Sequence, residues 1–318
     1  MNFLEKLKSI FFRKKTKYLT SGVDVNKILQ LAKKEKDSEK KLNILRNYCY
    51  TLSSSEITQI INSLPQNKKI EGIEIAQKYI TPYDLYDIAL KDLDYKGKIQ
   101  VLEKFPYRLD LEDIFGLFNN IPPDQRTTAL KKCIDRFDSF GLSEIIIKYI
   151  PLYEKLDCLN LYHNQIDSSL KASIISSLDP QRKIRALIQY GKELNKTDLE
   201  DIICDTESEK ISEVFDVVYA YLTPSQIENI IQYYIPEKQK LSALYKSCNK
   251  LSSATISDII KFAIPEQQKE EALVSLQNRI QSNNIGEIIQ FCIKGKHVLD
   301  KVKNNLDTED LEYFNKIN

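Results

Sequence analysis

Apolar residues along this chain come in short bursts that return at a nearly fixed interval. The segments LSSSEITQIINSLP from Leu52, LTPSQIENIIQYYIP from Leu222 and LSSATISDIIKFAIP from Leu251 align without gaps in their first fourteen positions. Taking the leading apolar residue as the origin, repeats open at Val23, Leu52, Ile80, Leu109, Phe137, Ile166, Leu194, Leu222, Leu251 and Ile280, with a partial one at Leu306. Every step from Val23 to Ile280 is 28 or 29 residues. A period of this size is the mark of a repeat architecture in which each copy is one supersecondary unit.

Each repeat opens on a polar or proline-containing cap, such as Ser53-Ser54-Ser55-Glu56, Thr81-Pro82, Thr223-Pro224 or Ser252-Ser253. Hydroxyls there accept the free N–H groups of a helix start, and proline fits its first turn. Eight residues in comes an apolar pair: Ile60-Ile61, Leu117-Phe118, Ile145-Ile146, Ile174-Ile175, Ile202-Ile203, Ile230-Ile231, Ile259-Ile260 and Ile288-Ile289. In most repeats another apolar residue stands three positions earlier (Ile57, Ile114, Leu142, Leu199, Ile227, Ile256, Ile285), which gives the i, i+3, i+4 stripe of a helix with one buried face. We call this helix A.

Proline ends it in most repeats, at Pro65, Pro122, Pro151, Pro180, Pro236 and Pro265, because it removes a donor and forces its predecessor out of the α region. Helix B follows for about 13 residues. It carries a column of small residues (Gly72, Ala129, Cys158, Ala186, Ala243, Ala272), each followed by a larger apolar one (Ile73, Leu130, Leu159, Leu187, Leu244, Leu273). Helices of about a dozen residues are marginal alone, so each repeat must bury its stripes against its neighbours. The fold expected is all-α, a right-handed α-solenoid of about ten two-helix repeats of 28–29 residues spanning 23–318, with a C-terminal cap from 306 and a separate basic amphipathic segment at 1–22.

Composition narrows the partners. The 46 basic and 45 acidic residues nearly cancel, so no global field marks a polyanion-binding protein, and a charged partner must use a local patch. The longest apolar runs fall far short of a membrane span. Cys49, Cys133, Cys158, Cys204, Cys248 and Cys292 stand singly with no C-x-x-C pair, which reads as small core residues in a reducing compartment and hence a cytoplasmic protein.

One cation recurs near the start of helix B: Lys41, Lys69, Lys98, Arg126, Lys155, Lys183, Lys210, Lys240 and Lys269. A positive charge at a helix N-terminus is disfavoured by the macrodipole, so its recurrence demands an offsetting partner. One reading is an inter-repeat ladder of ion pairs with Glu56, Asp84, Asp113, Glu144, Asp201, Glu228, Asp258 or Glu287. The other is a basic stripe that meets a nucleic acid, an acidic peptide or an anionic lipid surface.

The segment MNFLEKLKSIFFRKKTKY lies outside the repeat and places Phe3, Leu7, Phe11 and Phe12 with Lys14 and Lys15 at helical spacing. It is either a helix that lies on a membrane or binds a partner, or a cap on the first repeat. Tyrosine pairs such as Tyr48-Tyr50, Tyr83-Tyr86, Tyr219-Tyr221 and Tyr233-Tyr234 offer stacking surfaces, though aromatics at helical spacing also build cores. Catalytic signatures are missing: His163 and His297 are the only histidines, and there is no H-E-x-x-H, nucleophile elbow, P-loop or dinucleotide fingerprint. No metal site and no cofactor are expected. An enzyme would need polar groups that interrupt the repeat, and 80–108, with Gly97 and Pro106, is the least regular copy.

The two-helix repeat, the proline between helices and the small-residue column resemble the helical-repeat superfamily of HEAT-like, armadillo-like and tetratricopeptide-like solenoids. The period is shorter than theirs, and the characteristic tetratricopeptide tryptophan has no counterpart because the chain has none. The string Leu222-Thr223-Pro224-Ser225-Gln226-Ile227 also looks like the opening of a transcription-activator-like effector repeat, but Tyr233-Tyr234-Ile235-Pro236 stands where that family has its base-reading glycine-rich loop. The resemblance implies a noncatalytic scaffold that holds a protein or peptide on its concave face, membrane-associated if the N-terminal helix anchors it. The alternative is a nucleic-acid-binding repeat protein using the Lys/Arg ladder.

Overall fold

Short capped helices with one apolar stripe each should pack layer on layer, and this is the local arrangement found. The computed structural model describes residues 24–292 and 296–317. Phe3, Leu7, Phe11, Phe12, Lys14 and Lys15, with the rest of the basic segment 1–22, lie outside the described residues. Among the described residues there are 21 α-helices and no strand, and no helix is long and apolar enough to cross a membrane. The chain divides between Arg136 and Phe137 into two compact lobes. The boundary falls where one sequence repeat ends and the next opens.

In the first lobe the A helices are Val25–Lys34, Ser54–Asn62, Pro82–Asp87 and Leu111–Asn119, and the B helices are Ser38–Tyr48, Gln66–Ala76, Tyr95–Lys104 and Pro123–Cys133. In the second lobe the A helices are Ser139–Lys148, Ser168–Ser176, Lys196–Cys204, Pro224–Tyr233, Ser253–Phe262 and Ser282–Cys292. Its B helices are Leu152–Tyr162, Pro180–Tyr190, Ile211–Val218, Glu237–Ser247, Glu266–Leu276 and Lys296–Val302, and Thr308–Ile317 closes the chain. Within each lobe successive A helices pack on one another, successive B helices do likewise, and A packs on B. The irregular repeat at 80 keeps its place, but its A helix widens after Asp87 into a π-helical turn over Ile88–Asp92. Such a turn inserts an extra residue without breaking the helix.

The caps follow the sequence. Ser53 and Thr223 each form reciprocal capping boxes, with Glu56 and Gln226, and Thr81, Asp110 and Ser252 accept the N–H of the third helical residue. Pro65, Pro122, Pro151, Pro236 and Pro265 occupy the residue just before their B helices. All eight apolar pairs are buried, as are all seven residues three positions before them. The small column is buried too, and at Gly72 a methyl group would stand 2.8 Å from Leu64 Cδ1 and 3.3 Å from Ile61 Cγ1, so those side chains would have to shift to admit it. Cys49, Cys133, Cys158 and Cys248 are buried core residues, and burial pushes the Cys133 thiol up to about 12.

Core burial of this kind makes a direct prediction. Phe118→Ala, which empties a fully buried site, should cost about 3–5 kcal/mol of unfolding free energy in urea, whereas Tyr83→Ala on the exposed surface should stay within about 0.5 kcal/mol. Equal losses would contradict the assigned register.

Candidate functional site

The recurrent cation of helix B has a partner that neither expectation named. In the long run of the chain it reaches the C-terminal end of an A helix, where four carbonyls lack intrahelical donors. Lys41 Nζ donates to Ser63 O at 3.0 Å and Ser63 Oγ at 2.9 Å, and that hydroxyl donates onward to Ile60 O at 2.7 Å. Lys155 and Lys183 reach Ser177 Oγ at 3.3 Å and Thr206 Oγ1 at 3.4 Å, and these hydroxyls donate to Ile174 O and Ile202 O, each at 2.7 Å. Lys69 donates to Asp92 O at 3.0 Å. In these four cases the A helix belongs to the following repeat. Lys98, Arg126 and Lys240 turn instead to their own repeat's A helix, at Leu93 O, Ile121 O and Gln232 O.

Lys41, Lys69, Lys98, Lys155 and Lys183 are therefore buried, with only 4–9% of their surface exposed. Burial pushes the Lys98, Lys155 and Lys183 amines below the ordinary lysine range, with nearby carboxylates pulling back on Lys98 and Lys183. Lys210 and Lys269 differ: they pair with Glu213 at 2.5 Å and Glu266 at 3.0 Å on or beside their own helices. None of the eight carboxylates expected as ladder partners pairs with a ladder cation, apart from which Lys69 also sits 3.7 Å from Asp92. An inter-repeat set of ion pairs does exist, but on the B helices: Glu74 with Lys104, Glu103 with Lys132 at 2.7 Å, and Asp216 with Lys246. Exposed pairs of this kind contribute little, about 0–1 kcal/mol each.

Two more kinds of clasp tie the helix pairs, one between neighbouring repeats and one partly within a repeat, and sequence reasoning missed both. Ser54, Ser139, Ser253 and Ser282, each two residues past its repeat's origin, accept the backbone N–H of the next repeat's cap residue, from Thr81, Asp167, Gln281 and Asp307 at 2.7–2.8 Å. The recurrence of serine at that position was visible, but only as a capping signal. The residue just before a repeat's origin is basic at Arg108, Arg136, Lys250 and Arg279: Arg108 and Arg136 reach the carbonyl of their own repeat's origin, Ile80 O and Leu109 O, Lys250 reaches Leu222 O of its own repeat and Tyr219 O and Ala220 O of the preceding one, and Arg279 reaches Cys248 O of the preceding one.

The apolar register breaks at one core position. Lys171 stands where the other repeats have Ile or Leu three residues before the pair, and it is buried. Its ammonium is 2.7 Å from Glu193 and 5.8 Å from the centre of the Tyr190 ring, whose hydroxyl donates to Asn160 Oδ1 at 2.9 Å. The ion pair to Lys171 holds the Glu193 carboxyl below its usual range. His163 Nδ1 lies 3.0 Å from Asn160 O and its ring packs near Tyr190, while His297 Nε2 lies 2.9 Å from Glu270. This cluster closes on itself, and among the described residues no three His, Cys, Asp or Glu side chains gather as a metal ion needs.

Most of the large apolar side chains left exposed among the described residues are aromatic, with Leu111, Leu152, Leu161 and Ile188 beside them. Tyr50, Tyr79 and Tyr107 recur at one position of three consecutive repeats, and Arg136, at the same position of the fourth, lies over the Tyr107 ring at 5.1 Å. In the second lobe Tyr233 and Phe262 are 70% and 71% exposed at matching positions of packed neighbouring A helices. Of the tyrosine pairs noted from sequence, Tyr50, Tyr83, Tyr221, Tyr233 and Tyr234 are exposed, and Tyr48, Tyr86 and Tyr219 are partly buried. The fold defines an all-helical protein of stacked helix pairs. No protein-family profile matches the sequence, and no curated protein matches it.

The buried cations set a sign for pH dependence. Between a depressed folded-state value and the ordinary lysine value of 10.5, the unfolded chain binds more protons than the native one, so the lysine's contribution to stability rises with pH. The unfolding free energy of the wild type minus that of Lys183→Met should therefore increase as pH is raised from about 7 toward about 10. A difference that stays flat, or falls, would mean that Lys183 is not a buried cation.

Proposed function

We propose that this chain is a noncatalytic helical-repeat scaffold, an α-solenoid that binds a protein or peptide partner across its A helices. Binding rather than chemistry fits a molecule whose polar groups are spent on helix ends. The observation that carries the reading is the pair Tyr233 and Phe262, large rings left about 70% exposed at equivalent positions of adjacent helices. Such rings supply much contact area for little conformational entropy and are typical anchors of binding surfaces. The ladder gives no support to the nucleic-acid alternative, because five of its nine cations are buried against carbonyls and hydroxyls.

Selection of a displayed library of random 12-residue peptides on the full chain tests this. Enriched peptides, resynthesised with a fluorophore, should bind the wild type at least tenfold more tightly than Tyr233→Ser/Phe262→Ser. Absence of enrichment, or equal affinity for the variant, would overturn the reading. So would a saturable, steeply salt-dependent affinity for a labelled 20-nucleotide single strand in place of any peptide.

A further inference from the structure

The A helices of the first lobe present a face that is partly apolar and one-sided in charge. Ser54–Asn62, Pro82–Asp87 with its π-helical turn, and Leu111–Asn119, taken with their cap residues, carry seven carboxylates and a single cation. That cation, Lys91, pairs with Asp87 at 2.5 Å, and Asp92 lies 3.7 Å from Lys69 of helix B. No lysine or arginine among the described residues comes within ion-pair reach of Glu56, Asp84, Asp110, Glu112 or Asp113. Three of these five serve helix starts: Glu56 accepts from Ser53, Asp84 from Ser54 and Thr81, and Asp110 from the Asp113 N–H. Glu112 and Asp113 cap nothing. Beside them Tyr83 is 73% exposed and Leu111 38% exposed, which gives the face an apolar footing on two successive helices.

The charges gather around one ring. The Tyr86 hydroxyl lies against Gly116 of the next A helix, where even a methyl group would collide with it. Burial, and then Asp113, Asp110 and Asp87, push that hydroxyl above its usual range, and burial with Asp110 and Glu112 does the same to the Asp113 carboxyl. A carboxylate in the first turn of a helix is ordinarily favoured by the macrodipole, so burial and like charge together outweigh it here. A cation brought to this face would relieve the second of them.

The chain itself supplies the complement. Residues 2–18, outside the described residues, hold Lys6, Lys8, Arg13, Lys14, Lys15 and Lys17 against Glu5 alone, with Phe3, Leu7 and Phe11 at helical spacing. The whole chain has a surplus of only one positive charge, so without this segment the rest is net acidic. The segment runs into the first A helix at its cap, Asp24, and Ser53, Thr81 and Asp110 hold the same place on the next three A helices. Four helices packed at about 8–10 Å per step span about 24–30 Å. Seventeen residues of helix reach about 25 Å. We propose that residues 2–18 dock along this row of A helices, Phe3, Leu7 and Phe11 against Tyr83 and Leu111, and the lysines among Asp84, Glu112 and Asp113. Tethered to the first repeat, the segment meets the face at an effective concentration on the order of millimolar, ahead of any free basic peptide, while the sign of the charge repels an acidic occupant. The inference goes beyond the peptide-binding reading and does not depend on Tyr233 and Phe262, which belong to the other lobe.

Amide hydrogen exchange of the full chain, read by mass spectrometry, tests this, because residues 2–18 report docking while the core helices report folding in the same sample. In the wild type the amides of 2–18 should exchange at least about tenfold more slowly than an unstructured chain, unchanged on dilution, and the protection should fall in about 1 M salt, where screening shortens to about 3 Å. Glu112→Lys/Asp113→Lys should remove the protection of 2–18 and leave that of Gln66–Ala76 and Pro123–Cys133 in place. Glu207→Lys/Glu209→Lys, the same change of charge in the second lobe, should leave both. Carbodiimide coupling should join lysines of the segment to Glu112 or Asp113 within one molecule, as a mixture of heavy- and light-isotope chains reports. Exchange of 2–18 at the unstructured rate, or equal loss of protection in the Glu207/Glu209 variant, overturns the proposal. So does undiminished protection in the Glu112/Asp113 variant. Amide links found mainly between heavy and light chains overturn it in favour of a second copy, and protection that appears only with vesicles of anionic lipid overturns it in favour of a membrane.

Discussion

A helix of nine or ten residues is mostly ends. Four N–H and four C=O groups of each helix find no partner within it, and burying them unpaired would cost more than a short apolar stripe returns. In this chain the requirement is met by side chains from beside each helix, and often from the neighbouring repeat. Lysines of helix B serve the C-terminal carbonyls of A helices, serines two residues past the origin serve the N-terminal N–H of the next repeat, and Arg108, Arg136, Lys250 and Arg279 serve carbonyls at or beside the origin of the repeat they end. The apolar pairs supply the driving force. The clasps decide where one helix pair must sit on the next.

The same geometry explains why a cation is tolerated where the macrodipole of helix B disfavours it. An A helix ends a few residues before its B helix begins, so the positive start of one lies close to the negative end of another. A charge that costs a few tenths of a kcal/mol up to about 1 kcal/mol at the first is favoured by a similar amount at the second. The long lysine stem lets the ammonium leave helix B and reach such an end, and where it belongs to the following repeat Ser63, Ser177 and Thr206 extend the reach by relaying a hydrogen bond to the carbonyl beyond.

How much of this was legible in the sequence depended on whether both partners have side-chain signatures. The core did: the apolar pairs, the residues three before them and the small column are all buried, because a buried helical face imposes its period on residue type. The cation column was equally visible, but its partners are main-chain carbonyls, which every residue has, so spacing alone could not select them. Carboxylates are the conspicuous candidates, but of the eight expected only Glu144, Asp258 and Glu287 form ion pairs among the described residues, with Lys148 and Lys261. Exposure was legible only through position: Tyr190 and Tyr233 are the same residue type, yet the first falls on the inward side of a B helix and the second on the outward side of an A helix. Lys171 shows the converse, a polar residue at an inward position whose compensation by Glu193 comes from a neighbouring helix turn.

Tyr233 and Phe262, rings at equivalent outward positions, are groups that folding did not consume, and the proposed binding role rests on them. The account stands or falls on the clasps, and a double-mutant cycle between Lys41→Met and Ser63→Ala, read as unfolding free energies in urea, tests one directly. The two sites should couple by about 0.5 kcal/mol or more, as groups that share a hydrogen bond do. Additive losses, with no coupling beyond the error of the measurement, would show that the cation does not hold the helix end.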